Sequence, residues 1–195
     1  MKLTIMNANN KLLKHIMGVG FVAALLLLIP LIGMQFSEEV MWTYTDFIFA
    51  GILLFGTGTA FVFALHKMQN SSLRLGAGIA LVSTFLLVWV NLAVGIVGHE
   101  GESINMLYFT IPVIGVIGAF LSRFRSQGMS YTLLIMAIVP MIIAVIALMG
   151  YLQEPPHNSV SQILGVNAFF TVLFSLSAIS FRNASHDVQE FEADI

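Results

Sequence analysis

Cysteine is missing from all 195 positions of this chain. Disulfides, thiol catalysis, cysteine-ligated metals and lipoprotein attachment are thereby excluded. Charge is scarce too: Asp, Glu, Lys and Arg make up 9% of the residues, against 58% hydrophobic ones. A soluble domain of this length needs far more polar surface. Nor does any Asp, Glu, Lys, Arg or His fall near the middle of a long apolar run. Proton-driven pumps and transporters carry such a group within the membrane, and a retinal Schiff base needs a buried Lys. Histidines at 15 and 66 sit at inner segment ends and those at 99 and 157 lie outside, which disfavours a bilayer-buried bis-histidine haem. Phosphate-binding G-x-x-x-x-G-K-[ST] loops and G-x-S-x-G elbows are absent, and basic residues are too scattered for a nucleic-acid footprint.

What the chain does have is six apolar segments, at about 16–34, 47–65, 75–98, 107–122, 130–151 and 159–181. A hydrocarbon layer of about 30 Å takes about 20 helical residues to cross. The expected fold is therefore all-α, a polytopic six-helix transmembrane bundle made of three hairpins. All eight basic residues fall on one side: Lys2, Lys11 and Lys14, then Lys67 and Arg74, then Arg123 and Arg125, then Arg182. Cytoplasmic loops are rich in Lys and Arg, so both termini are expected inside. Six acids, Glu38, Glu39, Asp46, Glu100, Glu102 and Glu154, lie on the opposite face, and four more lie in the tail from Asp187 to Asp194. Residues 1–182 read as one membrane domain and 183–195 as an acidic cytoplasmic tail, expected to fray. The first segment has basic residues before a Leu-rich stretch but no A-x-A-like cleavage site, so it reads as a permanent helix.

Small residues recur at helical spacing. Thr84, Val88, Asn91, Gly95 and Gly98 share a face of segment three, Ile111, Gly115, Gly118 and Ser122 a face of segment four, and Asn167, Thr171, Ser175 and Ala178 a face of segment six. Helices in lipid associate by close backbone approach and interhelical hydrogen bonds, so these faces are expected to point inward. Pro140 lies mid-helix in segment five, where a kink is expected. Trp42, Tyr44, Tyr108 and Tyr151 lie near outer ends, as an aromatic belt requires, with Trp89 deeper.

Three polar groupings carry whatever chemistry is available. Asn91 and Asn167 are amides well inside the bilayer at similar depth, suited to interhelical hydrogen bonding or, with Asp46, Thr45 and Trp89, to an outward polar pocket. His99, Glu102 and His157 are outer-loop side chains of metal-ligating type, though without the spacing of a known metal motif. Asp46 stands where a carboxylate caps the start of segment two.

The stretch from Trp89 through Asn91, Gly95 and Gly98, followed by Glu100 and by Asn105 to Tyr108, resembles a family of small uncharacterised bacterial six-helix inner-membrane proteins. Phe120 to Arg125 and Glu154-Pro155 fit the same pattern, whereas His99-Glu100-Gly101 departs from the family's small polar residue followed by Glu-Asp. The resemblance implies a bacterial inner-membrane, multi-pass protein and directs attention to Trp89, Asn91, Glu100 and Asn105 without giving them roles. Three functional classes follow, in this order. The first is a non-catalytic accessory or assembly subunit that contacts partner helices or copies of itself. The second is a small transporter or channel with an outward acidic vestibule. The third is a metal-dependent membrane enzyme. The lipid bilayer is the expected environment, with no nucleic-acid partner and no cofactor.

Overall fold

A computed structural model of the protein describes residues 2–38, 40–68, 70–99, 101–151 and 158–193, with side-chain surroundings for 11–38, 40–68, 70–99, 101–150 and 158–185. Among the described residues all regular structure is helical: α1 (Lys2–Phe36), α2 (Tyr44–Lys67), α3 (Ser71–Ala93), a 3-10 turn (Ser103–Phe109) running into α4 (Thr110–Leu121), α5 (Ser126–Tyr151) and α6 (Val160–Ala193). Six of these stretches are long and apolar enough to cross a membrane. The protein is therefore an integral, multi-pass membrane protein in a lipid environment. It divides into two compact units, Met1–Gln69 and Asn70–Ile195.

Helix starts follow local chemistry. Thr43 caps α2: its hydroxyl accepts the Asp46 N–H, while the Asp46 carboxylate accepts the Thr43 N–H at 2.7 Å. Asn70 Oδ1 caps α3 by accepting the Ser72 N–H at 2.7 Å. Ser159 and Gln162 make the same reciprocal box at the start of α6. Each box satisfies amide donors that the first helical turn leaves without partners. Two helices outrun their apolar segments. α1 begins at Lys2 and α6 continues to Ala193, because neither aqueous extension contains a Gly or Pro to stop it. The tail expected to fray is helical to Ala193.

In the first unit α1 and α2 form a hairpin with small residues at the contact. Val19 lies against Gly58, Phe55 against Gly20 and Leu27 against Gly51, so the register runs antiparallel along the whole pair. Little else is enclosed: Ala23, Ala50 and Ala64 are the buried apolar side chains described there.

The second unit is built around α6. Its buried stripe of Ile163, Asn167, Phe170, Phe174, Ser177, Phe181 and Ala184 steps by three and four residues, the spacing of one helix face. α5 and α3 both pack on α6, and α4 packs on α5. Segments three and four are consecutive in the chain, yet the main partner of α3 is α6. The α3–α6 crossing is close at Gly76, where a Cβ would stand 2.9 Å from the Phe181 ring. There the Ser177 hydroxyl donates to the Gly76 carbonyl at 2.7 Å. The small-residue face of α4 behaves as expected: Ile111 is fully buried, Gly115 meets Met136 and Gly118 meets Thr132. α5 runs unbroken through Pro140, which is fully buried. One turn earlier, the Ala137 carbonyl accepts the Thr171 hydroxyl at 2.9 Å, a partner from α6 in the region where proline weakens the helix's own ladder.

Segment three departs from expectation. α3 stops at Ala93, so Gly95 and Gly98 are not part of a helical face. Both have left-handed backbone, φ +73° and +69°. Val94 is the C-cap residue, which places Gly95 one position beyond it, where helices commonly turn through a glycine.

Candidate functional site

Asn105 organises the loop that follows α3. Its Oδ1 accepts the N–H groups of Ile96 and Val97 at 3.2 and 3.0 Å, and its Nδ2 donates to the carbonyls of Val97 and His99 at 3.0 and 2.7 Å. An amide side chain has two donor hydrogens and two acceptor lone pairs, so all four positions are occupied. The side chain is buried, and it satisfies backbone groups that a buried loop would otherwise leave bare. The turn at Gly95 makes this possible. A Cβ there would stand 2.5 Å from the His99 carbonyl carbon and 2.7 Å from Asn105 Nδ2.

Asn91 and Asn167 extend the network. Asn91 Nδ2 donates to the Asn105 carbonyl at 3.0 Å, tying α3 to the 3-10 turn. Its Oδ1 is buried and has no hydrogen-bond partner among the described residues. Three residues beyond Asn105, the Tyr108 hydroxyl donates to Asn167 Oδ1 at 2.9 Å, while Asn167 Nδ2 donates to the Ile163 carbonyl at 2.8 Å. Tyr108 and Asn167 are both fully buried. Tyr108 is therefore not part of an interfacial aromatic belt; burial of its ring with a partner for its hydroxyl suits an aromatic that joins two helices. Of the other expected belt residues, Tyr44 is exposed, Trp42 packs edge-on against Phe47, and the Tyr151 side chain lies outside the described surroundings. A second strap joins the loop to the start of α6, where the Gly98 N–H donates to Asn158 Oδ1.

The remaining candidates separate. Trp89 stacks on Phe85, one turn back on α3, with ring centres 5.7 Å apart. His99 and Glu102 are brought together, Nε2 to Oε1 at 3.2 Å, and His99 Nδ1 accepts the Gly101 N–H. That bond leaves Nε2 to carry the proton of the neutral ring, pointed at the carboxylate. Both side chains are largely exposed, so the pair adds little to stability. Among the described residues no group of three His, Cys, Asp or Glu is placed to hold a metal ion. Glu100 and His157 lie outside the described residues. Asp46 belongs to the other unit, where its carboxylate is taken up by capping Thr43.

Sequence reasoning missed two things here. Tyr108 reads from the sequence as a residue of the membrane interface, and no spacing there points to Asn167 as its partner. The turn between α4 and α5 carries Arg123 and Phe124 in left-handed backbone, φ 51° and 59°. It is closed by the Phe124 N–H donating to the Ala119 carbonyl at 3.0 Å and by edge-on contact of Phe120 with Phe124. No glycine marks it in the sequence. No family model, curated protein or solved structure matches this chain.

Proposed function

We propose that this chain is a non-catalytic subunit of the bacterial inner membrane, acting through helix–helix contacts with partner membrane proteins or with further copies of itself. The observation that carries this reading is the contrast between polar groups and free surface. Asn105, Asn167, Ser177, Ser130 and Thr171 bond within the chain, so these polar groups serve its own packing. On α1 and α2, by contrast, 6% of the apolar stretch is buried, against 33–39% for α3, α5 and α6. Gly18 and Gly56 are exposed, and a Cβ at either would meet nothing within 4 Å. Small residues on a free helix face let a second backbone approach closely, which is what drives association in lipid.

Native mass spectrometry of the protein extracted in mild detergent tests the reading. The expected result is a stoichiometric complex that Gly18→Leu or Gly56→Leu disperses while helical content is kept. A wild-type chain that is monomeric across mild detergents would overturn it. A second reading, a small transporter or channel, draws on the buried Asn91 Oδ1, an acceptor open to a water or ligand donor. Solute flux in proteoliposomes that Asn91→Ala removes without unfolding would favour that reading instead.

A further inference from the structure

We propose that His15 and His66 form a two-imidazole site for a divalent transition-metal ion at the end of the α1–α2 hairpin remote from its connecting loop. His15 lies on α1 just before its apolar stretch and His66 in the last turn of α2. Their ring centres are 5.3 Å apart, the planes inclined at 64°, and both side chains are exposed. The pairing is built into the backbone register, since the Val19–Gly58, Phe55–Gly20 and Leu27–Gly51 contacts fix which residues of the two helices stand level.

The spacing fits cis ligation of one ion. A metal about 2.0–2.1 Å from an imidazole nitrogen sits roughly 3.2 Å from the ring centre, so two rings at a tetrahedral angle have centres about 5.2 Å apart. Rings on opposite sides of an ion, as in a bis-histidine haem, would need roughly 6.4 Å on the same bond lengths. The observed separation matches the first arrangement, and two ligands leave the other positions to water or a small ligand. Imidazole suits Zn²⁺, Cu²⁺ and Ni²⁺ rather than Mg²⁺ or Ca²⁺, which take oxygen ligands. The neighbouring cation Lys67 extends over the Phe63 ring, with Nζ 5.5 Å from the ring centre. By the distribution of basic residues this end faces the cytoplasm, so the ion would come from the cytosolic pool.

Equilibrium dialysis of the full-length, tag-free protein in detergent against Zn²⁺ provides the test. Wild type should bind one Zn²⁺ per chain through this pair. His15→Gln and His66→Gln should each weaken that binding about tenfold or more, since even losing an outer partner of a ligand costs that much. His99→Gln should leave it unchanged. In parallel, Zn²⁺ added to wild type should protect His15 and His66, and not His99, from diethyl pyrocarbonate, read by peptide mass spectrometry. This second measurement needs no variant to fold. Zinc binding that survives both substitutions, no zinc binding by wild type, or unprotected His15 and His66 would each overturn the site.

Discussion

The two units solve the same problem, holding helices together in lipid, by different means. Residues 70–195 are knitted by buried side-chain hydrogen bonds that cross from one element to another: Asn91 to Asn105, Tyr108 to Asn167, Thr171 to Ala137, Ser130 to Ala178 and Ser177 to Gly76. In the first unit, glycine-against-side-chain contacts join the two helices: Val19 at Gly58, Phe55 at Gly20 and Leu27 at Gly51. Lipid tails supply no hydrophobic force between helices, so packing and hydrogen bonds must do the work. The second unit uses both, and the contacts described between the helices of the first are packing contacts at glycines.

Substitutions that break the network in the second unit should therefore cost far more than those that touch polar groups in the first. The largest effect is expected for Gly95→Val. A β-branched residue forced to φ +73° and into contact with the His99 carbonyl combines backbone strain with overpacking, together about 3 kcal/mol or more. It should abolish recovery of folded protein by size-exclusion chromatography. Asn105→Ala removes four hydrogen bonds and leaves buried backbone groups bare, a loss of about 2–4 kcal/mol. Its thermal midpoint in detergent should fall steeply, and Asn105→Asp, which sets a carboxylate oxygen against the Val97 and His99 carbonyls, should fall at least as far. Tyr108→Phe strands the Asn167 oxygen and should cost about 1–2 kcal/mol by the same measurement. The smallest effect belongs to the first unit. Asp46→Asn keeps an oxygen to accept the Thr43 N–H, so its midpoint should barely move. A fall as large as that of Asn105→Ala would erase the distinction between the units.

How legible each part was depends on whether the signal was periodic. Six spans and the inward faces of α4 and α6 could be read directly, because apolar length and small-residue spacing are properties of the helix itself. Asp46 was legible as a cap because a carboxylate at the start of a helix accepts its orphan N–H groups, and the structure adds Thr43 as its partner. The end of α3 misled. Gly95 and Gly98 continue the spacing of Asn91 and so read as one more turn of a helix face. The competing signal, a glycine just past a helix C-terminus, was present and is what the chain obeys. The resemblance singles out Asn105 without giving it a role, because a polar side chain near a loop is ambiguous until its partners are known. Those partners are backbone groups, which a sequence does not display. The left-handed pair Arg123-Phe124 had no local signal, because residues with side chains adopt that conformation only when surroundings impose it.

The pairing of α3 with α6 has a consequence for how the protein is made. The Asn105 loop closes over short distances, its side-chain bonds spanning 6 to 9 residues, so it can form soon after its segment leaves the ribosome. The Ser177–Gly76 bond spans 101 residues. At roughly 5–20 residues per second of synthesis, α3 waits about 5–20 s for its main partner. Through that interval its glycine-lined side, with Ser83 and Asn91 along it, stands open to the bilayer. The nascent chain thus passes through a stage in which a half-finished membrane protein presents polar groups to lipid, and it is then, rather than after assembly, that an insertion factor has the most to shield.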